Sequence, residues 1–223
     1  MRKTRGKWAD DERNLRMGIY ANRFKSAIYS LFDRAFIPHE LAAARGPLIL
    51  HMSDTPAEIY PFLYRLVTLI KPAHILHTGD VADNYKIEKQ KSQLSRYQQS
   101  VVPFLNQLVK ISGAQLHVSP GNHDDLPTLL TLFPAEDLKN RTISLYGKKF
   151  HLMHALDDQP DAPGYYCFGH QFHPLNLEED SRVLLNGLLH IHVIDVETWQ
   201  VYHLEYPPGT NKFRKMDRNP TGL

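Results

Sequence analysis

Four short polar clusters, each at the end of an apolar run, carry residue types that bind metal ions. They are His51-Met52-Ser53-Asp54, Gly79-Asp80-Val81-Ala82-Asp83, Gly121-Asn122-His123-Asp124 and Gly169-His170. Carboxylate, amide and imidazole groups brought to one edge of a sheet are what a polynuclear metal site needs. A mixture of oxygen and imidazole ligands suits manganese, iron, zinc or a similar divalent ion better than magnesium or calcium alone.

The elements that must position these clusters can be read from the apolar pattern of residues 47–118. Short apolar runs at 48–52, 75–77 and 116–118 predict strands, and a helix starting near Pro61 is predicted over 60–70. Residues 86–111 favour helix, and we expect two helices there, broken near Pro103. Because ligands bind beyond the carboxyl ends of strands in open α/β sheets, Asp54, Asp80 and Asn122 should meet at one edge.

The second half of the chain predicts consecutive strands without helices between them. Segments 142–146 and 149–154 flank Gly147 as one hairpin, and segments 190–196 and 200–206 form another. Such strands must pair antiparallel and join the parallel part, which predicts a mixed-sheet sandwich covered by helices. His154 and His170 each follow a predicted strand of this half, so two imidazoles can approach the same edge from the second sheet.

Composition indicates a globular domain with appendages. The chain has 223 residues, 42% of them hydrophobic, and its single cysteine, Cys167, excludes an internal disulfide framework and a cysteine-built zinc cluster. No apolar run approaches the roughly 20 residues of a membrane helix, and the N-terminus lacks the apolar core of a secretory signal. We therefore expect a soluble, cytoplasmic protein with no membrane partner.

Three segments differ in charge and pattern: an N-terminal helical arm (1–46), a central domain (47–206) and a basic C-terminal tail (207–223). Residues 1–45 carry 10 Lys and Arg against 5 Asp and Glu, residues 207–223 carry 4 against 1, and the rest carries 12 against 18. The acidic middle suits cation binding, while the basic ends suit solvation or a phosphate-rich partner. The aromatic stripe of the arm could pack on the arm's own core, form a homodimer, or contact a membrane or nucleic acid.

The ordered motifs resemble those of the calcineurin-like metallophosphoesterases. The family pattern is DxH, GDxxD, GNHD or GNHE, a lone His near a glycine, and GHxH; here 79–83 and 121–124 match the second and third in full. The resemblance covers 47 to about 206 and implies a four-layer αββα sandwich of two mixed β-sheets flanked by helices. It implies that Asp80 bridges two metals, that Asn122, His154 and His170 complete the second metal's shell, and that Asp54 binds the first.

Two departures from the family pattern affect the same metal. Pro56 stands where DxH requires its histidine, and Phe172 stands where GHxH requires its second histidine. Neither side chain can bind a cation, so the first site is weakened, vacant or rebuilt, with one or two ions per chain. His173, one residue late, could reach the first metal through a local bulge.

The resemblance implies attack of a metal-bound hydroxide on phosphorus, with no covalent enzyme intermediate. His123 would donate a proton to the leaving oxygen and Asp83 would orient its imidazole. Asn84 and Tyr85, just past the second cluster, are candidates to line the pocket of a small phosphorylated substrate or nucleotide. The expected activity is hydrolysis of a phosphomonoester or phosphodiester; the alternatives are a binding scaffold weakened in catalysis and a nuclease that uses the basic arms.

Several of these residues also have structural interpretations. Asp54 could cap a helix, and His154 and His170 could be satisfied core histidines. Asp124 and Asp125 suit helix caps before Leu126. The remaining histidines of the predicted strands are interpreted as structural: His51, His77, His190 and His192.

Overall fold

The computed structural model describes residues 37–139, 142–156, 162–179 and 181–216. The helices are α1 (His39–Ala43), α2 (Tyr60–Ile70), α3 (Leu94–Ser112), α4 (Leu126–Leu129), α5 (Ala135–Lys139) and α6 (Thr210–Phe213). The strands are β1 (Leu48–Met52), β2 (His74–His77), β3 (Gln115–Val118), β4 (Thr142–Leu145), β5 (Lys148–Leu152), β6 (Gly164–Phe168), β7 (Leu177–Glu178), β8 (Arg182–Asn186), β9 (Ile191–Asp195) and β10 (Val201–Leu204). The predicted arm, as far as residue 36, and any dimer contact through it lie outside these residues.

The first sheet has the strand order β10-β9-β1-β2-β3. Strands β1, β2 and β3 are parallel, as their buried apolar runs predict, and β9 and β10 add an antiparallel hairpin to the β1 edge. The carboxyl ends of the three parallel strands therefore point the same way. The loops that follow them carry Asp54, Asp80 and Asn122, as expected for an open α/β sheet.

The second sheet has the order β4-β5-β6-β8-β7 and is also mixed. Its β4–β5 hairpin turns at Tyr146 and Gly147, both with positive φ, and β5, β6 and β8 run parallel. Apolar side chains of the two sheets, including Ile49, Phe150 and Cys167, pack together between them. Two mixed five-stranded sheets with flanking helices confirm the predicted fold class.

Helices α2 and α3 cover the outer face of the first sheet in the largest hydrophobic cluster. The prediction of two helices broken at Pro103 is wrong, because α3 runs without interruption through that residue. Val101, Phe104 and Leu108 form a buried stripe on both sides of the proline. This packing offsets the backbone hydrogen bond that the proline removes.

Part of the segment predicted as a basic tail is folded. Helix α6 lies at its centre, and Arg214, directly after the helix, is 1% exposed. The Arg214 side chain is therefore packed into the fold, while most of its neighbours in 207–216 are exposed. Within the described residues, no helix is both long and apolar enough to cross a membrane.

Candidate metal centre

The loops after β1 and β2 are joined through their backbones at the sheet edge. The N–H of Asp54 donates to the Gly79 carbonyl, and the N–H of Thr55 donates to the Asp80 carbonyl, each at 3.0 Å. Asp54 and Asp80 both have φ of 52°, a left-handed conformation that is uncommon for residues other than glycine. Both carboxylates are nearly inaccessible, with 3% and 2% of each residue exposed. Such strain in a buried polar loop is typical of a functional site.

The glycine of the third cluster is required by close packing against the second cluster. A Cβ on Gly121 would lie 2.2 Å from Asp80 Oδ1 and 2.8 Å from His154 Cε1. Only a residue without a side chain lets this backbone approach the carboxylate. The same loop holds that carboxylate, because the His123 N–H donates to Asp80 Oδ1 at 2.9 Å.

The tautomer of His154 follows from its contact with Thr78. His154 Nδ1 lies 2.8 Å from the Thr78 carbonyl oxygen, which can only accept, so Nδ1 carries a proton. Nε2 faces three other potential ligand atoms: Asn122 Oδ1 at 3.0 Å, His170 Nδ1 at 3.2 Å and Asp80 Oδ2 at 3.4 Å. Atoms with lone pairs therefore converge on one point, and a carbonyl fixes the imidazole from behind, as in many metal sites. This donor set fits a divalent transition-metal ion.

Asp80 and His154 form a charged pair at this point. Burial alone would raise the pKa of Asp80, but the hydrogen bond and charge of His154 outweigh burial and lower it to about 2. Burial alone would lower the pKa of His154, and the contact with Asp80 raises it to about 9. A proton on His154 thus balances the carboxylate when no metal ion does so.

Two groups of donor side chains share Asp80. Ligand atoms of Asp80, His154 and His170 lie within 4.8 Å of one another, and so do those of Asp80, Asp83 and His123. The first group, with Asn122 beside it, is the set that the resemblance implies for the second metal. In the second group Asp83 forms an ion pair with Lys86.

Asp83 and His123, which belong to the second group, are both buried; 2% of Asp83 and 8% of His123 is exposed. Burial, together with the negative charges of Asp80 and Asp54, raises the pKa of Asp83 to about 8. Burial lowers the pKa of His123, the Asp80 charge opposes this, and the Lys86 charge adds to the lowering. The imidazole is therefore near a carboxylate and an ammonium at once.

The other predicted site residues occupy different positions. The Asp54 carboxylate accepts from the backbone N–H of His170 at 3.0 Å, so its oxygen faces backbone of the fourth cluster. His173 is exposed and belongs to neither donor group. Asn84 is buried and its Oδ1 accepts from the Ala57 N–H at 2.9 Å, while the Tyr85 hydroxyl lies 2.9 Å from Ser100 Oγ. The roles proposed for these four residues stay predictions.

The strand histidines behind the centre support its loops. His77 Nδ1 accepts from the Gly79 N–H at 3.2 Å, and its Nε2 lies 2.9 Å from Thr55 Oγ1. His51 Nε2 lies 3.0 Å from Thr78 Oγ1. Burial, with a smaller contribution from His77, lowers the pKa of His51 to about 3.

Sequence reasoning missed three residues at this centre. Glu88 Oε2 accepts from Asn122 Nδ2 at 2.9 Å and so turns the amide oxygen toward His154. The Asp124 carboxylate accepts from the N–H groups of Asp80, Val81 and Gly121 and from the Tyr97 hydroxyl, at 2.8 to 2.9 Å. Arg214 Nε donates to the Asp54 carbonyl at 2.7 Å. Only Asp124 had a sequence signal, its place in the GNHD motif, whereas Asp125 caps α4 as predicted.

Comparison with known proteins gives two similarities. A family model described as calcineurin-like phosphoesterase matches residues 47–218. Among solved structures, Yfce, a phosphoesterase from E. coli, is 14% identical; the likeness covers 72% of this chain and 99% of that chain, with a TM-score of 0.45. No curated protein matches the chain.

Proposed function

The chain belongs to the calcineurin-like phosphoesterase family, and we propose that it hydrolyses a phosphomonoester or phosphodiester at the centre around Asp80. The observation that carries the proposal is the convergence of Asp80, Asn122 and His170 on His154 Nε2. Their lone pairs meet at a point where a divalent metal ion fits. A bound divalent cation would lower the pKa of a coordinated water and neutralise charge on phosphoryl oxygens.

The residues around that point divide into ligands and a proton donor. Asp80, Asn122, His154 and His170 would hold the cation, and the Thr78 carbonyl orients the imidazole of His154. His123 lies next to this set, since its backbone donates to Asp80 Oδ1 and its ring belongs to the donor group with Asp83. We assign His123 the transfer of a proton to the leaving oxygen.

Asp83 has a supporting role in this proposal. When ionised, Asp83 would favour the protonated form of the nearby His123 imidazole that a general acid needs. In the structure the same carboxylate forms an ion pair with Lys86, and one of its oxygens lies within 4.8 Å of a ring nitrogen of His123. The leaving oxygen would then depart next to the His123 ring, whose protonation must overcome the lowering of its pKa by burial.

A second candidate function is a binding scaffold with little or no turnover. Pro56 and Phe172 favour it, because they remove both imidazoles that the family uses for the first metal. The complete donor set around His154 and the buried His123 favour the enzyme. Small phosphorylated compounds or nucleotides remain the proposed ligands in either case.

Hydrolysis can be tested with the full chain loaded with Mn²⁺, using a generic phosphodiester and a generic phosphomonoester. We expect His123→Ala to lower kcat about 10²- to 10⁴-fold, with Mn²⁺ binding retained. His39→Ala, an exposed histidine on α1, is the matched control and should behave as the parent chain. Equal rates for the parent and the His123→Ala protein would contradict the general-acid role. Mn²⁺ binding without hydrolysis of either ester would favour the scaffold.

A further inference from the structure

The Asp54 side of the centre lacks donors for a second cation. The Asp54 carboxylate accepts a backbone hydrogen bond from His170, and within the described part of the chain no group of three closely spaced donors includes Asp54. Pro56 is buried and Phe172 is 44% exposed, and neither offers a ligand atom. A family member with this sequence needs another source of positive charge here.

Lys86 supplies a positive charge at the second donor group. Its ammonium forms an ion pair with Asp83, and only 20% of its side chain is exposed. Asp83 shares that group with Asp80 and His123, so the ammonium lies at the edge of the centre. Lys86 is not placed there by ordinary helix geometry, because its φ of 43° is left-handed and its carbonyl accepts from two N–H groups at 3.0 Å, those of residues 89 and 90. A strained, anchored backbone that aims a charge into a site is a functional indication.

The charge balance shows why this ammonium matters. Asp54, Asp80 and Asp83 are buried at the centre, and the carboxylates of Asp124 and Glu88 lie next to it. Such a cluster of acidic groups would repel an incoming phosphate group unless cationic groups offset it. The Lys86 ammonium, paired with Asp83, is a fixed positive charge that offsets part of this negative charge.

We propose that the Lys86 ammonium stands in for the first metal of the family pattern, by pairing with Asp83 and binding an oxygen of the substrate's phosphoryl group. The proposal rests on the proposed function for the identity of the ligand, a phosphate ester. It requires one divalent ion per chain. The ammonium is a point-charge donor that can contact Asp83 and a phosphoryl oxygen together, since Lys has three N–H groups.

The experiment compares Lys86→Met with Lys89→Met in the full chain. Lys89 lies three residues away on the same loop, is exposed, and loses the same charge, so it is a matched control. Metal content is measured after saturation with Mn²⁺ and removal of excess, and inorganic phosphate is then titrated by calorimetry. We expect one Mn²⁺ per chain in all proteins and a phosphate Kd raised at least 10-fold by Lys86→Met. Lys89→Met should change it less than twofold, and Lys86→Arg should keep most of the affinity.

Two results would overturn the proposal: two Mn²⁺ ions per parent chain, or equal phosphate affinity in Lys86→Met and Lys89→Met. Circular dichroism and a melting curve establish that each variant is folded. The outcome is separate from that of the proposed function. If the parent protein hydrolyses no ester while phosphate binding still depends on Lys86, the function fails and the lysine site stands; hydrolysis with no dependence on Lys86 gives the reverse.

Discussion

Replacing Arg214 by Met should weaken both the fold and the Asp54 loop. Its guanidinium donates from Nε to the Asp54 carbonyl at 2.7 Å and from one terminal nitrogen to the Leu188 carbonyl at 2.8 Å. It also contacts the side-chain oxygen of Asn211 at 2.8 Å and packs over the Tyr206 ring at 4.5 Å. Methionine keeps much of the packing volume but leaves both carbonyls without these donors.

The size of the effect follows from those two carbonyls. A buried carbonyl left without its donor costs about 1 to 3 kcal/mol. Removing the buried guanidinium also removes its own desolvation cost, which offsets part of the loss. We therefore expect Arg214→Met to lower the free energy of unfolding by about 2 to 4 kcal/mol, measured by urea titration. Lys at this position can replace one donor at most, so Arg214→Lys should lose roughly half as much.

The control is Lys212→Met, an exposed lysine on α6, which should stay within about 0.5 kcal/mol of the parent. Mn²⁺ affinity is measured on the same proteins, because Arg214 holds the backbone of a predicted ligand residue. If Arg214→Met and Lys212→Met unfold at the same urea concentration, the interpretation of Arg214 as a support of the Asp54 loop is refuted.

Three further perturbations test the surroundings of the centre. Asp124→Asn should lower the free energy of unfolding by about 2 to 3 kcal/mol, because an amide cannot accept hydrogen bonds at both oxygen positions of the carboxylate. Asp125→Asn should lower it by about 1 kcal/mol through a weakened helix cap. Urea titration of both variants measures the difference. Gly121→Ala should abolish Mn²⁺ binding, because the added Cβ would lie 2.2 Å from Asp80 Oδ1 and would displace that carboxylate. Gly147→Ala, whose added Cβ meets no atom within 4 Å, should keep Mn²⁺ binding despite backbone strain. Calorimetry that finds equal Mn²⁺ affinities for the two variants would contradict the steric argument. The pKa of His51 falls from 6.5 to about 3 on folding, so between these values only the unfolded chain binds the proton and the free energy of unfolding decreases as pH falls below 6.5. His51→Asn should remove about 2 kcal/mol of the decrease in the free energy of unfolding between pH 6.5 and 5. If urea titrations give both proteins the same dependence of stability on pH, this interpretation of His51 is refuted.

The parallel strands and the edge where their clusters meet could be predicted because each apolar run ends in a motif. Buried strands read as short continuous runs, and parallel strands must present their carboxyl ends together. The two hairpins were equally legible, since β4–β5 turns at Gly147 and β9–β10 has a short polar connection. The helix break predicted at Pro103 is wrong because tertiary packing on both sides of the proline outweighs its local tendency to end a helix.

The residues that the sequence did not reveal act through contacts far along the chain. Arg214 is 160 residues from Asp54, and a basic residue near a C-terminus is ordinarily solvated. Glu88 and Lys86 belong to a polar stretch that matches no motif, so nothing in the pattern distinguishes them from surface residues. Their positions become known only when the loop after β2 is folded against the third cluster.

The backbone conformations at the centre explain why so many supporting contacts are needed. Asp54, Asp80 and His170 all have positive φ, at 52°, 52° and 64°, and each costs about 1 kcal/mol or more for a residue other than glycine. Such conformations persist only where surrounding contacts determine them. Arg214 holds the Asp54 carbonyl, and Asp124 holds the N–H of Asp80. Neither Arg214 nor Asp124 belongs to the proposed ligand set. Substitutions at either should therefore lower Mn²⁺ affinity through loop geometry, even when all the proposed ligand side chains are present.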